Sequence, residues 1–193
     1  MSAWSSMLRL SAAIDSGNRI LGRLTIWPIL AAVVISAGNA VSRKFFDLSS
    51  NAFLEVQWYL FSLAFLGAAG YVLLVNEHVR IDAVSQRLPK RVRAWIDIVL
   101  FAVFVLPLTV LLGGLGFDLF WQALQSGEMS YNAGGLPRWP AYACIPLGMA
   151  TLGLQAVSEL IRRGAWLRGL VPEPVLSEAD LPHFMAEPGG PAS

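Results

Sequence analysis

A chain of 193 residues with 55% hydrophobic and only 14% charged residues departs from soluble domains, which carry about 25% charged residues. Fourteen Lys and Arg against thirteen Asp and Glu leave a net charge of +1, so there is no basic excess to hold a nucleic-acid backbone. One cysteine, Cys144, rules out an intramolecular disulfide, and no Cys/His cluster has the spacing of a zinc site.

Four runs lack Asp, Glu, Lys, Arg and His altogether: 24–42, 56–76, 98–117 and 139–158, of 19, 21, 20 and 20 residues. At about 1.5 Å rise per residue, about 20 helical residues cross the roughly 30 Å hydrocarbon core of a bilayer. The runs are apolar on all sides instead of along one 3.6-residue stripe, which argues against a soluble bundle. The expected fold is therefore all-α and integral to the membrane. It is a four-transmembrane-helix bundle with spans at about 20–42, 54–76, 95–120 and 139–162, within a single domain covering 1–170.

In chain order, Arg9, Arg19 and Arg23 precede helix one, which closes on Asn39, Arg43 and Lys44. Gly38-Asn39-Ala40 has the small residues a signal peptidase inspects, but the long leading segment and Arg43-Lys44 favour an uncleaved anchor. Helix two opens at Glu55, with Trp58 one turn later, and carries Ala64, Gly67, Ala68 and Gly70, whose small side chains permit close helix approach. Beyond it, Ile81, Val84 and Leu88 recur at i, i+3 and i+7 among Asp82, Arg87, Lys90, Arg91 and Arg93. That pattern suits a short amphipathic helix on the membrane surface or an ordinary basic loop, which Pro89 ends or bends. Pro107, with Gly113, Gly114 and Gly116, is placed to bend helix three. The loop 127–139 precedes helix four, where Cys144 and Gly148 lie four apart, and the tail 171–193, with Pro172, Pro174, Pro182, Pro188 and Pro191 among acidic residues, has the composition of a disordered segment.

Lys and Arg divide 11 against 3 between the two sides of a four-span chain, which places both termini and the middle loop in the cytoplasm. Trp27, Trp95 and Trp166 fall near that face and Trp58, Tyr59, Trp121, Trp139 and Tyr142 near the other, as headgroup-level aromatic belts do.

Catalytic chemistry is thinly supplied. His78 and His183 are the only histidines and lie outside the spans, so no haem is held by helix-borne histidines, and no cofactor or metal is expected. The middle of each span holds no ionisable residue, since Glu55, Asp97, Asp118 and Glu159 fall at span ends, and no inverted repeat is evident. A self-sufficient small transporter would need such groups at the midplane, and a membrane enzyme or electron carrier would need clustered ligands. If the chain serves transport, another chain carries the substrate.

Particular strings then narrow the reading. Asn39-Ala-Val-Ser-Arg43-Lys-Phe-Phe closes helix one, Leu66-Gly67-Ala68-Ala69 lies inside helix two and His78-Val79-Arg80-Ile81-Asp82 follows it. Pro137-Arg138-Trp139 and Ile145-Pro146-Leu147-Gly148 frame the start of helix four. In this order, over about 17–163, the chain resembles the small membrane subunit, the DctQ or Q-type component, of tripartite ATP-independent periplasmic (TRAP) transporters. The resemblance implies a non-catalytic inner-membrane subunit that partners a large multi-span, sodium-coupled permease. A periplasmic binding protein would deliver the substrate, commonly an organic acid.

The residues that carry the resemblance are the candidates for structural or partner contacts. Asn39 and Arg43 share a helical face, and Arg43 is expected to pair with Glu55 across the helix one to helix two turn. A lipid headgroup for Arg43 and a helix-dipole position for Glu55 would serve as well. His78 and Asp82 are spaced to tie the end of helix two to the surface segment. Ser130, with Glu128, Tyr131 and Arg138, offers the binding protein a docking loop or is simply exposed loop. Trp58, Pro137, Trp139, Pro146 and Gly148 complete the candidates.

Overall fold

The computed structural model describes residues 3–46, 50–75 and 89–171, and the described chain is almost wholly helical. Helix α1 (Ala3–Leu24) runs into α2 (Ile26–Phe46) with a break at Thr25. Pro28 explains that break, because it has no N–H for the Leu24 carbonyl and its ring crowds that oxygen. Helices α3 (Asn51–Gly67) and α4 (Ala69–Leu74) are likewise two parts of one rod. Helix α5 (Lys90–Leu100) passes through a π-helical turn at 101–105 into α6 (Leu106–Ser126). The Leu106 N–H reaches back to the Phe101 carbonyl, and Pro107 follows at once. The wider turn thus falls where proline removes a donor, so the irregularity expected at Pro107 lies on its N-terminal side. Helix α7 (Trp139–Leu167) carries Pro146 within it.

Four rods, Trp4–Phe46, Asn51–Leu74, Lys90–Ser126 and Trp139–Leu167, are long and apolar enough to cross a membrane, as expected. The first is longer than the predicted span because α1, which precedes the uncharged run, is also helical and joins it end to end. The surface segment containing Ile81, Val84 and Leu88, and the tail from residue 172, lie outside the described residues.

Their packing is a row more than a bundle. Helix α2 lies against α3, α3 against α7, and α7 against α6, while α2 does not pack extensively on α6 or α7. Accordingly 11% of the apolar stretch is buried in each edge rod, against 22% and 33% in the two central ones. Edge residues such as Trp27, Val34, Val110 and Leu111 are exposed, as suits helices whose solvent is lipid.

Because lipid is as apolar as leucine, such helices are held by close van der Waals contact and polar bonds more than by expulsion of water. Gly148 is buried with Leu66 so near that a Cβ would lie 2.7 Å from the leucine Cβ and 2.8 Å from its carbonyl oxygen. Gly116 similarly admits Ile145, and Gly70 admits the Thr151 carbonyl and Asn18. The small residues therefore serve internal packing at these points.

At one end the row thickens. Helix α1 packs on α4 and α7, and α5 on α7, around a core of Leu73, Phe101 and Ala156. Trp4 lies near Gly164 and under the Arg168 guanidinium at 4.7 Å, so both described chain ends share this terminal end. The opposite, loop end carries the connection 127–138.

Candidate functional site

Each end of the row holds a polar cluster. At the loop end, residues 128–138 form a small closed turn rather than a free loop. Met129 bridges Pro137, the Ser130 N–H donates to the Leu136 carbonyl at 2.9 Å and the Arg138 N–H to that of Glu128 at 3.0 Å. Gly127 and Gly134 adopt positive φ of 63° and 70°, which permits the chain reversal without Cβ strain.

Glu55, one turn into α3, binds this turn. Its carboxylate accepts from the Ser130 hydroxyl, from Asn132 Nδ2 at 2.8 Å and from the Leu136 N–H at 2.7 Å. Tyr59, one turn further on the same face, donates to the Pro137 carbonyl at 2.9 Å, and Asn51 Nδ2 donates to the Ala133 carbonyl at 3.2 Å. Arg138 pairs with Glu128 at 2.7 Å and stacks over Tyr131 at 4.7 Å. The Glu128 hydrogen bond raises the Arg138 pKa above its already high ordinary value.

The expected Arg43–Glu55 pair does not form. Glu55 is taken up by the loop, and Arg43 is exposed with no ion pair among the described residues. The reason is reach: three donors from 130–136 surround the carboxylate, a grouping that requires the loop to fold back over α3.

Other candidates are scattered. Asn39 is half-buried on α2 with its Oδ1 unpaired in the described structure, as is Gln57 Nε2 on α3. Trp58 is 74% exposed, and Trp139 meets the edge of Phe120 at 6.4 Å. Pro146 packs at Gly116 and Gly148 at Leu66, both structural positions. His78 and Asp82 lie outside the described residues.

The terminal-end cluster was not anticipated. Asp15 on α1 accepts from Gln155 Nε2 at 2.9 Å, Ser158 Oγ at 2.6 Å and Arg162 Nη1 at 2.9 Å, all on α7. Asn18 Nδ2 donates to Gln155 Oε1 at 2.7 Å. Ser11 and Ser158 hydroxyls lie 2.7 Å apart, and because the Ser158 proton goes to Asp15, Ser11 is the donor.

Arg163 continues the network to a third helix. It binds Asp97 on α5 at 3.0 Å and Glu159 on its own helix, with its guanidinium 5.0 Å from the centre of the Phe101 ring. Arg162 also approaches Glu159 Oε1 at 3.3 Å, though that oxygen has no aligned hydrogen bond. Gln155, Ser158 and Glu159 are completely buried and Arg163 is 4% exposed.

A sequence signal for this cluster did exist. Ser11, Asp15, Asn18 and Gly22 on α1, and Thr151, Gln155, Ser158 and Arg162 on α7, both follow i, i+4, i+7, i+11. Two polar stripes of matching period are what facing helices in lipid would share.

Neither cluster is arranged as a reaction centre. Among the described residues no group of three or more His, Cys, Asp or Glu is placed to hold a metal ion. In both, a carboxylate is held by donors of another element, Asp15 by α7 and Glu55 by the closed turn, an arrangement that joins elements together. Four long apolar helices in a row, tied at both ends, define a multi-span α-helical membrane protein.

Residues 32–165, more than half of the chain, match the profile of the tripartite ATP-independent periplasmic transporters, DctQ component. The chain belongs to that family, which is a transporter component and not a catalytic one. No curated protein and no solved structure matches it.

Proposed function

We propose that the protein is the small, non-catalytic membrane subunit of a TRAP secondary transporter, scaffolding a large sodium-coupled permease. That permease would take up an organic acid delivered by a periplasmic binding protein. The observation that carries this reading beyond family membership is the row itself: a one-layer array tied at both ends, with broad apolar faces and sparsely buried edge helices. Such an object suits a fixed wall against which a larger moving protein works. The terminal-end network joins α1, α5 and α7, so these helices would resist displacement together.

In this reading the protein lies in the bacterial inner membrane, with the basic terminal end cytoplasmic and the 127–139 loop periplasmic, following the Lys/Arg division. The closed turn around Glu55, held through Ser130, then presents the exposed Tyr131 toward the binding protein.

The test is a pull-down of the tagged chain from its native membranes in mild detergent, with mass spectrometry of what remains bound. Recovery of a large multi-span permease in near-equal amount is expected. A stable chain recovered alone would overturn the scaffold reading and favour an independent membrane protein.

A further inference from the structure

An apolar groove of about 340 Å³ runs between α1 and α7, lined by Ala13, Ile14, Gly17, Leu21 and Leu154 with Asn18 and Thr151 at its floor. The side-chain donors of Asn18 and Thr151 are already committed within the protein. Asn18 Nδ2 is used by Gln155 and the Thr151 carbonyl, and the Thr151 hydroxyl donates to the Gly148 carbonyl at 2.9 Å. The groove therefore suits plain hydrocarbon.

Charge at its mouth adds a second requirement. The acid on α1, Asp15, is turned inward to Ser158, Gln155 and Arg162, so the outward charges of that helix are Arg9, Arg19 and Arg23. Arg9 is exposed one helical turn before Ala13, on the terminal-end side of the residues that line the groove. A hydrocarbon slot with an arginine at its outer end selects an amphiphile with an anionic head.

We infer that the groove between α1 and α7 is a binding site for an anionic phospholipid, its acyl chain lying along Ala13, Gly17, Leu21 and Leu154 and the net negative charge of its headgroup balanced by Arg9. The bound lipid fills a gap that protein side chains leave open beside the buried Asp15 network.

Gly17 offers a clean probe, since a Cβ there would meet nothing within 4 Å and a larger side chain can enter the groove without displacing protein. The full chain would be reconstituted in nanodiscs of mixed phosphatidylglycerol and phosphatidylethanolamine, and the lipid retained after extraction into detergent measured by native mass spectrometry. The parent should retain phosphatidylglycerol above its bulk share. Gly17→Phe and, independently, Ala13→Phe should bring retained phosphatidylglycerol down to its bulk share or below. Arg9→Gln should retain lipid but lose the preference for phosphatidylglycerol. Unchanged retention in both groove-filling variants, with helical content intact, would overturn the site, and unchanged headgroup preference in Arg9→Gln would overturn the anionic assignment. Photocrosslinking from a cysteine at Gly17 that captured a permease helix in place of lipid would also overturn it. Retention is read on this chain alone, so failure of the subunit reading leaves the result intact.

Discussion

The two ends of the molecule solve the same problem in different media. At the loop end one carboxylate, Glu55, is held by a hydroxyl, an amide and a backbone N–H of a turn that is itself partly exposed. At the terminal end Asp15, Asp97 and Glu159 meet Arg162 and Arg163 among side chains that are largely or wholly buried. Water can replace the donors of the first cluster when one is lost. It has little access to the second, where a lost partner leaves a desolvated charge. Stability should therefore depend unequally on the two ends.

The largest effect is expected from Arg163→Leu, which removes the guanidinium that binds both Asp97 and Glu159. Breaking a buried pair by removing one partner costs about 3–5 kcal/mol. Equilibrium unfolding in mild detergent should show a loss of that size, and a loss below about 1 kcal/mol would mean that water reaches the network. Next comes Gly148→Leu. The new side chain meets Leu66 backbone and side chain across α3, so overpacking of about 1–3 kcal/mol should appear in the same assay, with Gly148→Ala smaller. A neutral Gly148→Leu would show that α3 and α7 part easily and that the row is not rigid.

Glu55→Gln keeps an acceptor but loses the charge assistance of its three hydrogen bonds. Its effect should be local, read as faster protease cutting within 128–136 while global unfolding moves little. Equal protection of that loop in variant and parent would separate the turn's order from Glu55. Smallest is the coupling between Arg43→Gln and Glu55→Gln. With no direct pair, the two should add within about 0.3–0.5 kcal/mol in a double-mutant cycle. A larger coupling would restore the link that spacing alone suggested.

These contrasts show where sequence reasoning reached its limit. Charge-free runs identified the spanning rods, because in lipid a helix must satisfy its own backbone and shed charge along its length. The strings from Asn39 to Gly148 carried the family resemblance for a similar reason, being local in the chain and legible as text. Arg43 and Glu55 were joined by proximity in sequence, yet the partners of Glu55 are 75 to 81 positions away. The Asp15 network spans still more, up to 147 positions, and its helix α1 carries charges that make it read as a leading segment. Paired stripes of period i, i+4, i+7, i+11 were present, but a stripe declares a face without naming the face it meets.

What composition and order determined, then, was the solvent, the number of rods and the family, all properties that each stretch of chain expresses by itself. Tertiary structure alone decided that the rods stand in a row, that α1 packs along α7 and that the 127–138 connection closes over Glu55. Lipid and a neighbouring helix ask nearly the same of an apolar side chain, so sequence cannot tell which neighbour a face will have. Only contact at atomic distance, a glycine against a carbonyl or an aspartate among three donors, chooses between them.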